Sequence, residues 1–263
     1  MKQLLKVLSN DMKPPIQGGD EYKLKKWYHC DNFDESDTEC SCGFYAIPIS
    51  ELIHYHKPYK KTNVASVRVK GKEKIFSASK QRYEYMIIDR ILTKAEIIKL
   101  CKEAEPELGY KLSEALYPVN PLLLPEAKIT DSDIILLKEL ASISDSVWAS
   151  VWASVWASVS DSVWASVWAS VRASISDSVW DSIWASVLDS IWAYIGSLFP
   201  NIEKWKYVDR YRNQYPFQSC ADLWHRGIVP SFDGKLWRLH SGENAKIIWT
   251  EPSIDWLKSE ASK

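Results

Sequence analysis

His29, Cys30, Cys40 and Cys42 fall within one short stretch of the chain, and His54 and His56 follow on a short predicted helix, "ELIHYH". Thiolate and imidazole donors suit a closed tetrahedral zinc site, and Cys30, Cys40, Cys42 and His54 are the set that a metal would take. Two observations weigh against that reading. The spacing Cys-x9-Cys-x-Cys matches no standard zinc knuckle, and a cysteine beside Gly43-Phe44 reads equally as a small buried hydrophobe. The expectation is a chain without a cofactor, with zinc as the alternative.

A second chemistry is charge. From Lys57 to Arg82 there are nine Lys or Arg against the single acid Glu73, and Arg68, Lys70, Lys72 and Lys74 crowd around Gly71. Such a run could hold phosphates by charge neutralisation and counterion release. Five acids between Asp31 and Glu39 could neutralise it within the same module. Over the whole chain 33 basic residues balance 34 acidic ones, so no global field recruits a polyanion and any such site is local.

A third chemistry is catalysis. No nucleophile elbow, phosphate-binding loop or dinucleotide fingerprint occurs. Cys220, Asp222, His225, Asp233 and His240 could be assembled into a Cys-His-Asp set, but small domains bring such triples together by chance. The expectation is a non-enzymatic binding or scaffolding protein.

The elements that must position these residues are dominated by a repeat. Val or Ile stands at every fourth position from Ile143 to Ile195, Ser and Ala or Asp fill two of the remaining slots, and Trp takes the slot after the branched residue eight times. Ser144-Asp145, Ser160-Asp161 and Ser176-Asp177 recur every sixteen residues. On a helix, a period of four drifts by about 40° per unit, so no single face stays buried over the whole tract. Selection for β-branching without Leu also favours a strand. The pattern therefore predicts a mainly β fold, a quadrilateral β-solenoid of about sixteen residues per coil with Ser-Asp at one corner. The alternative is a long repeat helix. In the solenoid, Trp148, Trp164 and Trp180 form one outward indole column and Trp152, Trp168 and Trp184 the next. Such faces would mediate protein contact or self-association, making a protein partner or a homo-oligomer the expected assembly.

Residues 1–105 read as an α+β module, with "VASVRV" and "KIFSAS" flanking Lys70-Gly71-Lys72 as a hairpin and Thr93 and Glu96 as a capping box. Residues 106–140 read as a Pro-rich linker and capping helix, 141–197 as the solenoid, and 198–263 as a small β-rich cap with Asp233-Gly234 at a hairpin turn. The array, "WAYIGSLFPNIEKWKY" after it and "YPFQSCADLWHRGIVPSFDGKLWRLHSG" together resemble a group of uncharacterised bacterial, archaeal and phage proteins. The module carrying "CSCGFYA" is similar to phage and bacterial domains with a Cys-x-x-Gly-Phe motif. These resemblances imply no activity and carry over no site residue. The competing expectation for function is polyanion binding, nucleic acid included, or a role in phage-host conflict, through the basic N-terminal module.

"MKQLLKVLSNDMKPP" lacks the apolar core of a signal peptide, and the longest uncharged run of the repeat is too Ser-rich to span a bilayer. Five cysteines, two of them as Cys40-x-Cys42, fit a reducing compartment better than a disulfide framework. The expected setting is cytoplasmic, away from membranes.

Overall fold

Branched and aromatic residues alternate with charged ones from Asn63 to Phe76 and again from Lys80 to Ile91, and the two runs pair antiparallel along almost their whole length. The computed structural model describes residues 3–15, 19–38, 41–58, 61–76, 80–143, 145–158, 167–168, 177–199 and 215–252. The chain divides into two units, Met1–Tyr117 and Pro118–Lys263.

In the first unit the described strands are β1 (Leu4–Leu8), β2 (Trp27–His29), β3 (Phe44–Ala46), β4 (Asn63–Phe76) and β5 (Lys80–Ile91). They form an antiparallel sheet in the order β1-β4-β5, and β2 and β3 share the far edge of β5. A 3-10 turn (Ile49–Glu51), α1 (Leu52–Tyr55), α2 (Lys94–Leu108) and α3 (Leu112–Leu116) complete the unit. Thr93 and Glu96 make the reciprocal capping box that opens α2. Leu8, Ala65, Val67, Tyr83, Met86 and Ile88 form one core.

Lys70-Gly71-Lys72 is not a hairpin turn. Lys70 pairs with Tyr85 and Glu73 with Tyr83, so Gly71 and Lys72 together stand opposite Glu84. This is a β-bulge inside one continuous strand. Gly71 takes φ +81°, which a residue with a Cβ reaches only with strain, and the Lys72 amide donates to Glu84 Oε2 at 2.9 Å. Residues 77–79, between β4 and β5, lie outside the described residues.

One core position of the first unit carries a charge. Lys6 on β1 is buried, its Nζ donates to the Tyr45 carbonyl at 2.9 Å and lies 5.2 Å from the Tyr22 ring centroid. Burial pushes its pKa down to about 8 from 10.5. The folded chain thus holds this proton less tightly than the unfolded chain. The resulting cost to stability is fully present below pH 8 and fades as pH rises toward 10.5. A urea midpoint that climbs across this window, and a Lys6→Met variant that is more stable than wild type at pH 7 and loses the climb, are the expected results. A lower midpoint for Lys6→Met at pH 7 would contradict them.

The second unit contains α4 (Asp131–Ala141), α5 (Asp145–Ser158), α6 (Asp177–Ser197), α7 (Gln218–His225) and an antiparallel sheet of β6 (Ile228–Phe232), β7 (Leu236–Ser241) and β8 (Lys246–Pro252). The β6–β7 hairpin turns at Asp233, whose Oδ1 accepts the amides of Lys235 and Leu236 at 2.9 and 2.8 Å. Leu137, Leu223, Ile228 and Leu239 form its core, with Trp237 and Trp249 packed alongside.

The repeat is therefore helical wherever it is described, in a mixed α+β chain, and the predicted β-solenoid is overturned. The physical reason lies in length. The drift of a period-four stripe defeats a single long rod, but α5 spans only 14 residues, over which the stripe turns by about 120° and stays within a broad apolar face. In α6 the drift ceases to matter because residues 190–198 are buried on every side. The branched residues do face inward: Ile143, Val147, Val155, Val167, Val187, Ile191 and Ile195 are all buried. The sixteen-residue super-period has a helical meaning too. Asp145 and Asp177 are the first residues of α5 and α6, where a carboxylate complements the positive end of the helix.

The outward indole columns fall with the solenoid. Trp148 lies against Phe217 with ring centroids 3.8 Å apart, and Trp152, half-exposed, meets the buried Trp192 edge-on at 5.8 Å. Trp168 is partly buried, while Trp164 and the side chains of Trp180 and Trp184 lie outside the described residues. Among the described residues no helix is long and apolar enough to cross a membrane.

Candidate functional site

Antiparallel pairing sets residues that stand directly opposite on the same face of a sheet. In the first unit one rung runs Trp27, Ile87, Arg68 across β2, β5 and β4, and the next runs His29, Tyr85, Lys70. The alternation Trp27-Tyr28-His29 places both outer rings of β2 on this face. Trp27, His29, Arg68 and Lys70 are exposed there, and Ile87 is covered beneath them.

The Lys70 ammonium sits 4.5 Å from the Trp27 ring centroid and 5.0 Å from that of Tyr85, and His29 stacks on Tyr85 at 4.1 Å with planes 11° apart. Among the described residues Lys70 has no carboxylate partner; it is held by rings. Arg68 is forked onto Asp89, with Nε and Nη2 each 2.8 Å from a carboxylate oxygen. That pairing pulls the Asp89 carboxyl down and the guanidinium up. His29 Nδ1 lies 2.8 Å from Asp31 and its Nε2 3.4 Å from Glu84. Glu84 is held below the usual carboxylate range, chiefly by the Lys72 amide.

The other two basic residues read from sequence meet the acidic segment that follows β2. Lys72 Nζ is 2.5 Å from Glu35 and Lys74 Nζ 2.6 Å from Asp37. The segment is pinned from below by Arg82, fully buried on β5, which donates to the carbonyls of Ser36 and Thr38 at 2.6 and 2.9 Å. Asp34 accepts from Ser41 and Ser36 and lies 3.9 Å from the same guanidinium, and its pKa falls to about 2, first through the Ser41 hydroxyl. Gly43 makes room for the arginine, since a Cβ there would stand 2.5 Å from Arg82 Cγ.

No family model, curated protein or solved structure matches this chain. Its chemistry is read from its own side chains.

The remaining candidates from sequence are dispersed. Cys30 and Cys42 are neighbours, with Cys30 half-buried and Cys42 exposed, whereas His54 is exposed on α1 and Cys40 lies outside the described residues. Among the described residues no three His, Cys, Asp or Glu side chains converge as metal ligands. His56 is buried between the hydroxyls of Thr62 and Tyr117, at 2.9 and 2.8 Å, and burial lowers its pKa to about 4. In the second unit His240 bonds Ser231 Oγ through Nε2 at 2.8 Å and the Ala245 carbonyl through Nδ1 at 2.9 Å. Ser231 and His240 are both buried, so this pair braces the β6–β7 hairpin and offers no substrate an approach. Cys220 is buried and its thiol is pushed up to about 12, which removes it as a nucleophile. His225 Nδ1 bonds the Ala221 carbonyl of its own helix.

Sequence reasoning found Arg68, Lys70, Lys72 and Lys74 by charge. It singled out His29 only as a possible metal ligand, and it missed Trp27 and Tyr85, whose period-two spacing with His29 in β2 and whose place in the long β5 run were the available signals. It counted Arg82 only as the end of the basic run and missed its buried place beneath the loop.

Proposed function

We propose that the Met1–Tyr117 unit binds single-stranded nucleic acid across the sheet face formed by Trp27, His29, Tyr85, Arg68 and Lys70. The observation that carries the reading is the exposed Lys70 ammonium set between two rings, with a third ring stacked beyond it. Bases are flat and phosphates anionic, and a sheet face of aromatic rings interleaved with cations meets both needs. Base edges in a duplex are stacked away from such rings, so a single strand is the fitting ligand. The four described cysteines are free thiols, which suits a reducing cytoplasmic setting.

Because Arg68, Lys72 and Lys74 already hold carboxylates, affinity is modest and its salt dependence shallow. Fluorescence anisotropy of a labelled mixed-sequence oligonucleotide tests the reading. Lys70→Gln should reduce the salt slope by about 0.7, the contribution of one phosphate contact on a single strand. Trp27→Ala should weaken binding roughly tenfold, the scale of one lost base stack. Duplex of the same sequence should compete poorly. Wild-type protein that fails to bind at low salt, or binding untouched by Trp27→Ala and Lys70→Gln together, would overturn it.

A further inference from the structure

β2 and β3 lie on the same edge of β5 and run in the same direction. His29 stands opposite Tyr85 and Phe44 opposite Tyr83. They are thus two pieces of one edge strand, and the chain departs between them at the level of Glu84. The departure is fixed by the Cys30 amide, which donates to the Glu84 carbonyl at 3.0 Å. On the return side the Cys42 carbonyl accepts the Asp34 amide at 3.1 Å, and β3 resumes two residues later. Cys30 and Cys42 therefore stand together at the neck of the acidic loop, close enough that the Cys42 thiol is among the groups that push the Cys30 thiol up.

We infer that Cys30 and Cys42 are a reversible thiol–disulfide pair that closes the neck of this loop and fixes it over Lys72 and Lys74. The oxidant class is a small-molecule disulfide such as oxidised glutathione. Cys42 is exposed, while burial and the neighbouring thiol push Cys30 up to about 11, so the first attack comes from Cys42. Its thiolate displaces one glutathione, which leaves carrying the Cys42 proton, and a mixed disulfide remains. The Cys30 sulfur then attacks the Cys42 sulfur, breaks the mixed disulfide and releases the second glutathione with the remaining proton. Two protein thiols are oxidised to one disulfide and one small disulfide is reduced to two thiols. The remaining described cysteines, Cys101 and Cys220, are buried away from this exchange. The inference is independent of nucleic-acid binding, since it concerns the loop's own closure.

The full chain is equilibrated in oxidised and reduced glutathione mixtures, quenched in acid, alkylated and mapped by peptide mass spectrometry. The expected product is an intramolecular Cys30–Cys42 link, reversed by excess reduced glutathione and retained in Cys40→Ser. In Cys30→Ser the link is lost and a glutathione adduct accumulates on Cys42. Glu-C cleavage at Glu35 should slow by about tenfold on oxidation, because closing so short a loop restricts its opened states. A wild-type chain in which oxidation stops at glutathione adducts, or in which the link maps to Cys40 or joins two chains, overturns the inference. The wild-type map decides this even where a variant folds poorly.

Discussion

Replacing Asp133 with alanine is expected to destabilise the Pro118–Lys263 unit by about 2–4 kcal/mol, the cost of removing a buried carboxylate that accepts two hydrogen bonds at a helix entry. The Asp133 side chain is wholly buried near the start of α4. One carboxylate oxygen accepts from both the backbone amide and the hydroxyl of Thr130, at 2.8 Å each. The other lies 3.0 Å from Nε of Arg226, the residue that ends α7. A single side chain thus caps one helix and tethers the end of another, and these two helices contribute Leu137 and Leu223 to the same core. Alanine leaves a helix-entry amide without its acceptor in an apolar setting. Arg226→Gln should also cost about 3 kcal/mol, because it leaves the wholly buried Asp133 carboxylate without its cation. Urea unfolding followed by tryptophan fluorescence measures both. An Asp133→Ala loss below about 1 kcal/mol, no larger than that of an exposed pair, would refute the tether.

How much of this was legible beforehand depends on the range of the interaction concerned. Local chemistry was readable: Thr93 with Glu96, Asp233 at its turn and the helix at Asp131–Ala141 follow from residues a few positions apart. The repeat misled because its period is compatible with two backbones. The choice is settled by surroundings: the last helix of the repeat is enclosed by other elements, so that residues 190–198 are buried all round. Fourfold spacing carries no information about enclosure. The bulge at Gly71 misled for a related reason. Lys-Gly-Lys between two apolar runs is the local signature of a turn, and only the partner strand shows that pairing continues past it.

The candidate site divides in the same way. Charge counting found the basic residues of β4 and even the acids that meet them, but a count cannot say which acid reaches which base; Lys72 with Glu35 and Lys74 with Asp37 depend on where the loop is pinned. That pin is Arg82, a charged residue in the middle of a buried strand, which looks anomalous in sequence and makes sense only when Gly43 and two loop carbonyls close around it. Trp27 and Tyr85 lie far apart in sequence and meet through Lys70 on a strand between them, a relation that needs the strand order.

The reassignment of the repeat to a helical core makes its own strong demand at Trp224. This indole is fully buried on α7 and stacks on Tyr194 of α6, with centroids 5.1 Å apart and planes 12° from parallel. Its Nε1 donates to the Val119 carbonyl at 2.8 Å, while the Val119 amide donates to the Tyr194 hydroxyl at 3.0 Å. Both backbone groups of one residue are thereby satisfied by a stacked pair from two helices, and the segment that opens the second unit is fastened to the end of the repeat. Trp224→Ala should cost about 3–5 kcal/mol through the cavity left behind. Trp224→Phe retains part of the stack and orphans the Val119 carbonyl, for a loss of about 1–3 kcal/mol. Tyr194→Phe orphans the amide instead. The double phenylalanine variant should cost less than the sum of the two single ones, since the second substitution acts on a segment that the first has already loosened. Strict additivity in that cycle, measured by urea unfolding, would mean that the two helices hold Val119 independently, and an Ala loss near that of an exposed tryptophan would place the end of the repeat outside the core.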